Sequence, residues 1–429
     1  MRTDPQPPDG LARWLAFAPK PPPLTADKQK WHTFISYRSV NRAWVLHLYD
    51  ALEQAGFSVF LDQFELVPGE ALTTSLQSAL EQSASGIIVW STENQDSAWC
   101  QAEYNAMHTL RHARDAAFRF VIVKLDHEEL PLFARNTLYE DFSESPEGPR
   151  GYGLLRVMCG LVGQPPSPGA ITFATQIDQE THDCLAEIAA AKDIGDIHEL
   201  IRMTARTNAS WWASPLLLCQ VAQALIDLGN PAAALDVLEP AEQRFPKSIR
   251  PPQLRALALA RLGQWSAAQP ILATLYQKGH RDPETLGIYA RTWFDRYQES
   301  QRPLHLEKSR DLYAEAFKHD PQDCYTGINA ASKSVFLGEL DVAMTYAREV
   351  QELVGKDVVA GDYWKTATVG ENQLILENYM EAARLYRAAV RIAPEALGNH
   401  DSTLGQARRL MDSLNTPPEH RARIEAAFS

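Results

Sequence analysis

The sequence predicts an α/β domain with a parallel sheet, followed by an all-α solenoid. Between residues 31 and 163, short β-type apolar runs alternate with amphipathic helical patterns. Beyond residue 180, strand signals largely vanish and long amphipathic helices follow one another. Among these helices a Leu-Gly pair recurs, and its glycines, Gly229 and Gly263, lie 34 positions apart.

Five apolar runs predict the strands of the first domain, with helical patterns between them. The runs are Trp31–Tyr37, Phe57–Leu61, Gly86–Ser91, Phe118–Leu125 and Leu138–Phe142. The helical patterns cover Ala43–Gln54, a segment around Leu76–Leu80, a segment from Ser97 to about Arg114, and Tyr152–Val162. Strands that alternate with helices of this length imply a five-stranded parallel, flavodoxin-like sheet.

Composition shifts give the predicted boundaries. Residues 1–30 are rich in proline and predict a disordered leader that contains one helical turn. The α/β domain then covers residues 31–165. The run Gly163–Gly169 contains three prolines and two glycines, and it predicts a linker over residues 166–180. The solenoid takes residues 181–429.

A period of 34 residues is that of a tetratricopeptide repeat. Later repeats are less regular, so the solenoid is predicted to have degenerate tetratricopeptide-like repeats. Small residues recur where each helix pair must close tightly, at Ala233, Ala267, Ala343 and Ala382.

The bulk composition excludes several classes of protein. Hydrophobic residues make up 45% of the chain, which is enough for sizeable cores, and no run is long enough for a membrane helix. A net charge of −13 disfavours binding to nucleic acid or to anionic membranes. The five cysteines lack a CxxC pair, so zinc and disulfides are not expected. These features predict a cytoplasmic protein with no metal and no resident cofactor.

The first domain carries an ordered set of motifs. They are Phe34-Ile35-Ser36-Tyr37-Arg38, Gly56–Asp62, Pro68-Gly69-Glu70, Ile87–Ser91 and Ser97-Ala98-Trp99-Cys100-Gln101-Ala102-Glu103. In this order and spacing, the segment resembles a Toll/interleukin-1 receptor (TIR) domain. More narrowly, it resembles the TIR domains that hydrolyse NAD.

The resemblance implies specific site residues. Glu103 matches the catalytic glutamate, and Trp99 lies four positions before it on the same helical face. The resemblance places Tyr37 and Arg38 beside the nicotinamide riboside and its phosphate. It also places Asp62 at the start of the loop that covers the nucleotide. Ser91, after the third strand, is positioned to reach a ribose or phosphate.

Each of these residues also has an ordinary structural interpretation. Taken alone, Glu103 is more simply a solvated helix carboxylate, and the flanking motifs are what favour catalysis. Tyr37 and Arg38 can be a packing tyrosine and a surface arginine. Asp62 can be a structural residue of its loop, and Ser91 can cap a turn. The pair His108 and His112 lacks a third ligand at metal-binding spacing.

A second resemblance concerns the solenoid. The segment Gln322–Ser332 resembles the TRAFs-binding-type helical region that precedes the catalytic domain of apoptosis-signal-regulating kinases. That region is found fused to TIR domains in bacteria.

Together the resemblances imply an NAD hydrolase that is activated by self-assembly through TIR–TIR contacts. NAD is then a substrate, the product is linear or cyclic ADP-ribose, and the architecture resembles bacterial anti-phage effectors. The solenoid is expected to take a protein or peptide trigger. Two alternatives stay open: a non-enzymatic TIR adaptor with a peptide-binding solenoid, and a virulence factor that mimics host TIR signalling.

Overall fold

The computed structural model describes residues 10–25, 29–61, 72–92, 98–114, 117–130, 134, 138–206 and 208–428. For residues 39, 72–76, 98–103 and 397 it describes the backbone alone. The chain divides into two compact units, Met1–Leu262 and Gly263–Ser429. The first unit contains the sheet, and the described part of the second unit is helical.

Five parallel strands form one sheet. They are β1 (Trp31–Ser36), β2 (Val59–Leu61), β3 (Ser83–Trp90), β4 (Arg119–Lys124) and β5 (Tyr139–Asp141), in the order β2-β1-β3-β4-β5. The register pairs Phe34 of β1 with Phe60 of β2 and with Gly86 of β3. All five predicted strands are present, and the parallel order confirms the predicted fold class. Strands β1 to β4 are mostly buried, as expected for a sheet with helices on both faces.

Helices accompany the sheet along the chain. They are α1 (Gly10–Phe17), α2 (Arg42–Gln54), α3 (Leu72–Glu81), α4 (Ala98–Ala113) and α5 (Gly151–Val162). A short 3₁₀ turn, Ser39–Asn41, precedes α2. Helix α5 ends at Gly163, whose φ of 70° lies in the left-handed region that favours glycine at this position.

The structure differs from the sequence prediction in the leader. Residues 10–17 form the two-turn helix α1 rather than a disordered segment. Its Trp14 is 4% exposed, and a Cβ at Gly10 would collide with the carbonyl of Ala209. The prediction was wrong here because it was based on the prolines on both sides of α1 and took no account of the apolar face of the helix.

The structure also differs in the expected linker. Most of residues 166–180 lie in α6 (Pro168–Asp193). Ser167 caps this helix, since its hydroxyl accepts a hydrogen bond from the Ala170 amide, and Pro168 occupies the first turn, where proline is tolerated. The segment Gly163–Gly169 therefore leads directly into a capped helix rather than forming a flexible linker.

The remaining helices follow one another along the chain, and within each unit several pack against the next one. In the first unit they are α7 (Ile197–Met203), α8 (Ala209–Ala213), α9 (Leu216–Asp227), α10 (Pro231–Arg244) and α11 (Arg250–Arg261). In the second unit they are α12 (Trp265–Gln277), α13 (Pro283–Ser300), α14 (Pro303–His319), α15 (Cys324–Phe336), α16 (Leu340–Val354), α17 (Tyr363–Ile375), α18 (Tyr379–Ile392), α19 (Leu397–Ser413) and α20 (Pro418–Glu425).

The predicted repeats correspond to turns that follow helices along the chain. Gly229, Gly263 and Gly338 each follow a helix and have φ values of 77°, 72° and 78°. At the fourth related turn the chain has Glu377 instead, and it keeps the left-handed conformation with φ of 62°. The turn geometry thus persists where the glycine has been lost, which explains why this repeat is harder to recognise in sequence.

Separate apolar cores stabilise the two units. In the first unit, helices α6 to α11 share a core built around Trp211, Leu200 and Leu225. In the second, α14 to α20 share one built around Tyr386, Val350 and Leu410. No helix within the described ranges is long and apolar enough to cross a bilayer.

Candidate functional site

Polar side chains gather where β1 and β3 end. Tyr37 and Arg38 directly follow β1 and are half-buried, and Ser91 directly follows β3 and is 5% exposed. Parallel strands present their carboxyl ends at one edge, so the two segments are neighbours. The Asn41 side-chain amide donates a hydrogen bond of 2.8 Å to Ser91 Oγ and ties them together.

A residue of α2 positions the hydroxyl of Tyr37. Arg42 Nη1 donates a hydrogen bond of 2.9 Å to the Tyr37 hydroxyl, and Arg42 itself is only 6% exposed. Sequence reasoning missed Asn41 and Arg42 as positioning residues. Their only sequence signal is that they lie within five positions of the Tyr37-Arg38 pair.

Arg38 offers a free charge at this edge. Its guanidinium has no carboxylate partner within ion-pair distance in the described part of the chain. By contrast, Lys124 at the end of β4 is paired with Asp141 at 3.1 Å. Partial burial raises the pKa of Asp141, but hydrogen bonds from Ser143 and Lys124 outweigh this and hold the pKa below its usual value. Arg38 is therefore available to an anionic ligand.

Helix α4 runs antiparallel to β3. Near its C-terminal end, Arg114 donates a hydrogen bond of 2.9 Å to the Ser83 carbonyl at the start of β3. Nearer the middle, Met107 is fully buried and its sulfur packs over Gly86. Tyr104 is also buried, with its ring 5.7 Å from that of Phe120 on β4. The N-terminal turns of α4 consequently lie toward the carboxyl edge of the sheet.

This orientation fixes the backbone level of the predicted catalytic residue. Glu103 lies one turn before Met107 on the same face of α4, since residues four apart share a face. Four helical residues rise about 6 Å, which equals roughly two strand residues, so position 103 is level with about Ile88 of β3. Ile88 pairs with Ser36, the last residue of β1. The backbone at position 103 therefore lies at about the level at which β1 ends.

The other predicted residues are placed less completely. Trp99 lies one further turn toward the edge, where the backbone alone is described. Asp62 follows β2 directly and lies outside the described residues. The structure thus brings Tyr37, Arg38 and Ser91 to one edge of the sheet, while the parts of Trp99 and Glu103 in the site stay predictions.

In the described part of the chain, no group of three or more His, Cys, Asp and Glu side chains is arranged to hold a metal ion. His108 and His112 stack with ring centroids 4.6 Å apart on α4. The cysteines Cys159, Cys184, Cys219 and Cys324 are free thiols.

Comparison with known families agrees with this geometry. Residues 33–155 match the family described as the TIR domain, and residues 230–336 match the family described as tetratricopeptide repeats-sensor. The chain contains a TIR domain and a C-terminal tetratricopeptide-type sensor domain. The TIR match covers β1 through β5 and contains every predicted site residue.

Individual relatives cover less of the chain. Human Toll-like receptor 1 is 34% identical over 85 residues, which is 19% of this chain and 11% of that receptor. Toll-like receptor 6 of human matches to the same extent. The chain thus spans about a tenth of the length of these relatives.

Solved structures resemble the helical part. A tetratricopeptide protein from Thermus thermophilus matches with a TM-score of 0.36 at 19% identity, covering 46% of this chain and 97% of that one. The MamA protein of Desulfovibrio magneticus matches with a TM-score of 0.34 at 18% identity, covering 40% of this chain and 94% of that one.

Proposed function

We propose that the TIR domain hydrolyses NAD to nicotinamide and ADP-ribose, with Glu103 as the catalytic carboxylate. The observation that supports the proposal is the course of α4. Position 103 lies one turn before the buried Met107, which packs over Gly86 of β3, so this part of α4 lies toward the carboxyl end of β3. Open parallel sheets bind ligands at this edge.

The chemistry needs few groups. The bond between the ribose C1′ and the nicotinamide nitrogen breaks, and its electron pair neutralises the pyridinium ring, so the leaving group takes no proton. Water then adds to C1′ and releases a proton. A carboxylate near C1′ stabilises the positive charge that develops on the ribose, as in glycoside hydrolysis.

Arg38 would bind the phosphate groups of the substrate. A guanidinium forms forked hydrogen bonds with phosphate oxygens, and Arg38 has no carboxylate competing for it among the described residues. Ser91, whose hydroxyl accepts a hydrogen bond from Asn41, would form a hydrogen bond with a ribose hydroxyl at the same edge. Asp62 and Trp99 complete the proposed site.

Nicotinamide release from NAD tests the assignment. The parent is compared with Glu103→Gln and with Glu144→Gln, a matched control whose carboxylate is 87% exposed in the loop after β5. Each protein is assayed over a range of concentrations, up to that at which light scattering shows assembled particles. Loss of one preorganised electrostatic group costs about a hundredfold or more in rate. We expect that loss in Glu103→Gln and no change in Glu144→Gln.

Two results would count against the proposal. Equal turnover in the parent and in Glu103→Gln would reject the catalytic assignment. No release by the parent, even when assembled, would instead favour a second candidate, a non-enzymatic adaptor. That candidate is supported by the match to Toll-like receptors, which are named as receptors.

The cellular role is part of the same proposal. TIR–TIR contacts would bring the sites into an assembled, active form, and depletion of NAD would halt the cell, as an anti-phage effector requires. A protein or peptide trigger on the helical domain would start assembly.

A further inference from the structure

The second unit contains a pocket that the proposed function does not use. Its volume is about 330 Å³, and α13, α14, α15, α17 and α19 line it. Sites of this size bind small molecules. Five ionisable side chains line it: Arg291, Asp295, Lys333, Glu371 and Arg409.

The deepest of these groups is Lys333. It is 3% exposed, and its ammonium lies 4.4 Å from the centroid of the Phe294 ring and 5.5 Å from that of Tyr313. It donates one hydrogen bond of 3.0 Å to Asn329 Oδ1. Burial lowers the pKa of Lys333 to about 8. Aromatic faces and one amide only partly replace the hydration of an ammonium ion.

The two carboxylates of the pocket do not pair with this lysine. Asp295 lies 4.0 Å from Arg291, and Glu371 accepts hydrogen bonds from Ser332 and, at 2.9 Å, from Gln406. Neither Lys333 nor Arg409 has a carboxylate within 4 Å among the described residues. Glu371 and Asp295 act on Lys333 only from beyond ion-pair distance, and Arg409 and Arg291 oppose them. A buried cation without a direct ion pair is costly, and an anionic ligand would offset that cost.

Arg409 is placed to share such a ligand. The residue is exposed over part of its surface, and burial of its guanidinium lowers the pKa of Arg409. The guanidinium lies 6.0 Å from the same Phe294 ring that Lys333 contacts, and it donates a hydrogen bond of 3.0 Å to Gln406 Oε1. The pocket therefore presents one buried and one partly buried cation around a single aromatic ring.

The rim adds an apolar component. The side chains of Tyr325 and Trp364 line the pocket and are 51% and 55% exposed. Exposed aromatic rings of this kind stack on flat ligands. We propose that this pocket binds a small organic anion, with its phosphate or carboxylate group on Lys333 and Arg409 and a flat ring against Trp364 and Tyr325.

Binding is tested on the full chain with simple probes. Phenyl phosphate and benzoate carry the two candidate anionic groups on one ring, and phenol is the neutral control. The thermal midpoint is measured for the parent, Lys333→Met, Arg409→Gln and Arg408→Gln. Arg408 is the matched control, because it is adjacent to Arg409 but pairs with Glu425 at 2.9 Å.

We expect at least one of the two anions, at a concentration about tenfold above its Kd, to raise the midpoint of the parent and of Arg408→Gln by about 1–3 °C. Phenol should have no effect. Lys333→Met and Arg409→Gln should lose the shift. A response to phenyl phosphate alone assigns a phosphate ester, and a response to benzoate alone assigns a carboxylate.

The proposal is overturned if neither anion stabilises the parent, or if Arg409→Gln and Lys333→Met respond as the parent does. Arg409→Gln keeps the test decisive if Lys333→Met fails to fold, because Arg409 lies at the rim. Trp364→Ala supplies a second measurement. It should remove the advantage of phenyl phosphate over inorganic phosphate if the ring stacks as proposed, and its failure to do so would contradict the aromatic part of the site.

Discussion

The carboxylate of Asp50, in α2 of the TIR domain, accepts a hydrogen bond of 3.3 Å from the backbone amide of Ile249, at the start of α11. Asp50 is 2% exposed. Next to it, Gln54 donates a hydrogen bond of 3.2 Å to Ser248 Oγ. These bonds join parts of the first unit that are 199 positions apart in the sequence, so they fix the TIR domain to the helices that follow it.

Asp50→Asn should stabilise the first unit increasingly as the pH rises. Burial raises the pKa of Asp50 well above its usual value, and hydrogen bonds from Ile249 and Ser248 only partly oppose this. An acid whose pKa is raised by folding contributes stability below its unfolded pKa, about 3.9, and loses it as the pH rises through the folded pKa. Asparagine keeps an acceptor for the Ile249 amide and does not ionise.

Thermal unfolding of Asp50→Asn and the parent from pH 4 to pH 8 measures this effect. The difference in midpoint should grow with pH. Asp236→Asn, at an exposed position on α10, provides the control and should show no such trend. A difference that stays constant over the range would show that folding does not raise the pKa of Asp50.

His47 should produce the opposite pH dependence. It is 9% exposed, and burial together with the charge of Arg250 lowers its pKa to about 3. As the pH falls below about 6.5, the His47 imidazole takes up a proton in the unfolded chain but stays neutral in the folded chain. The stability that neutral His47 contributes is therefore present above that pH and is lost on acidification toward pH 3.

His47→Gln should unfold with a shallower loss of stability between pH 6.5 and pH 4 than the parent. The measurement is again the midpoint against pH. His198→Gln, exposed on α7, should follow the parent curve. If His47→Gln also follows it, then His47 takes up a proton as readily in the folded chain as in the unfolded chain.

Much of the fold could be predicted from sequence because its signals are local. The strands are short apolar runs, and the buried run Ile87–Trp90 needs no long-range information to be recognised. The repeat turns are equally local, since Gly229 and Gly263 have left-handed backbones that glycine adopts without strain.

The features that were missed depend on tertiary contacts. Trp14 is buried by residues about two hundred positions away, and the prolines around it gave no sign of this. Lys333 has a charged side chain, which would be expected at the surface, but it is buried among aromatic rings from other helices. At the candidate site, the Tyr37-Arg38 pair was predictable through family resemblance, whereas the hydrogen bond from Asn41 to Ser91 required the structure.

Gly86→Ala should weaken both the fold and the proposed catalysis through α4. A Cβ at Gly86 would lie 2.7 Å from the sulfur of Met107, which is fully buried, so the Met107 side chain would have to shift within the core. Overpacking of this kind costs about 1–3 kcal/mol. Because Met107 is one turn from Glu103, the displaced helix should also lower nicotinamide release.

The double variant Gly86→Ala with Met107→Ala distinguishes this from a general loss of stability. Removing the Met107 side chain makes room for the new methyl group, so the two changes should be less harmful together than their sum predicts. Denaturant unfolding should give a coupling energy of about 0.5–3 kcal/mol between contacting residues. Strictly additive effects would mean that Met107 and Gly86 do not pack as described.

Trp14→Ala should destabilise the first unit although residue 14 lies in the proline-rich leader. Trp14 is 4% exposed, and α1 packs against α8 and α6, with the ring of Phe17 5.2 Å from that of Phe173. Replacing a buried tryptophan with alanine costs about 3–5 kcal/mol through lost burial and the remaining cavity. Phe17→Ala is the matched aromatic control, and it should cost less than half as much because Phe17 is 36% exposed. Urea unfolding of the full chain measures both. Equal, small effects for the two variants would show that the leader does not dock, and that α1 contributes nothing to holding the TIR domain against its neighbouring helices.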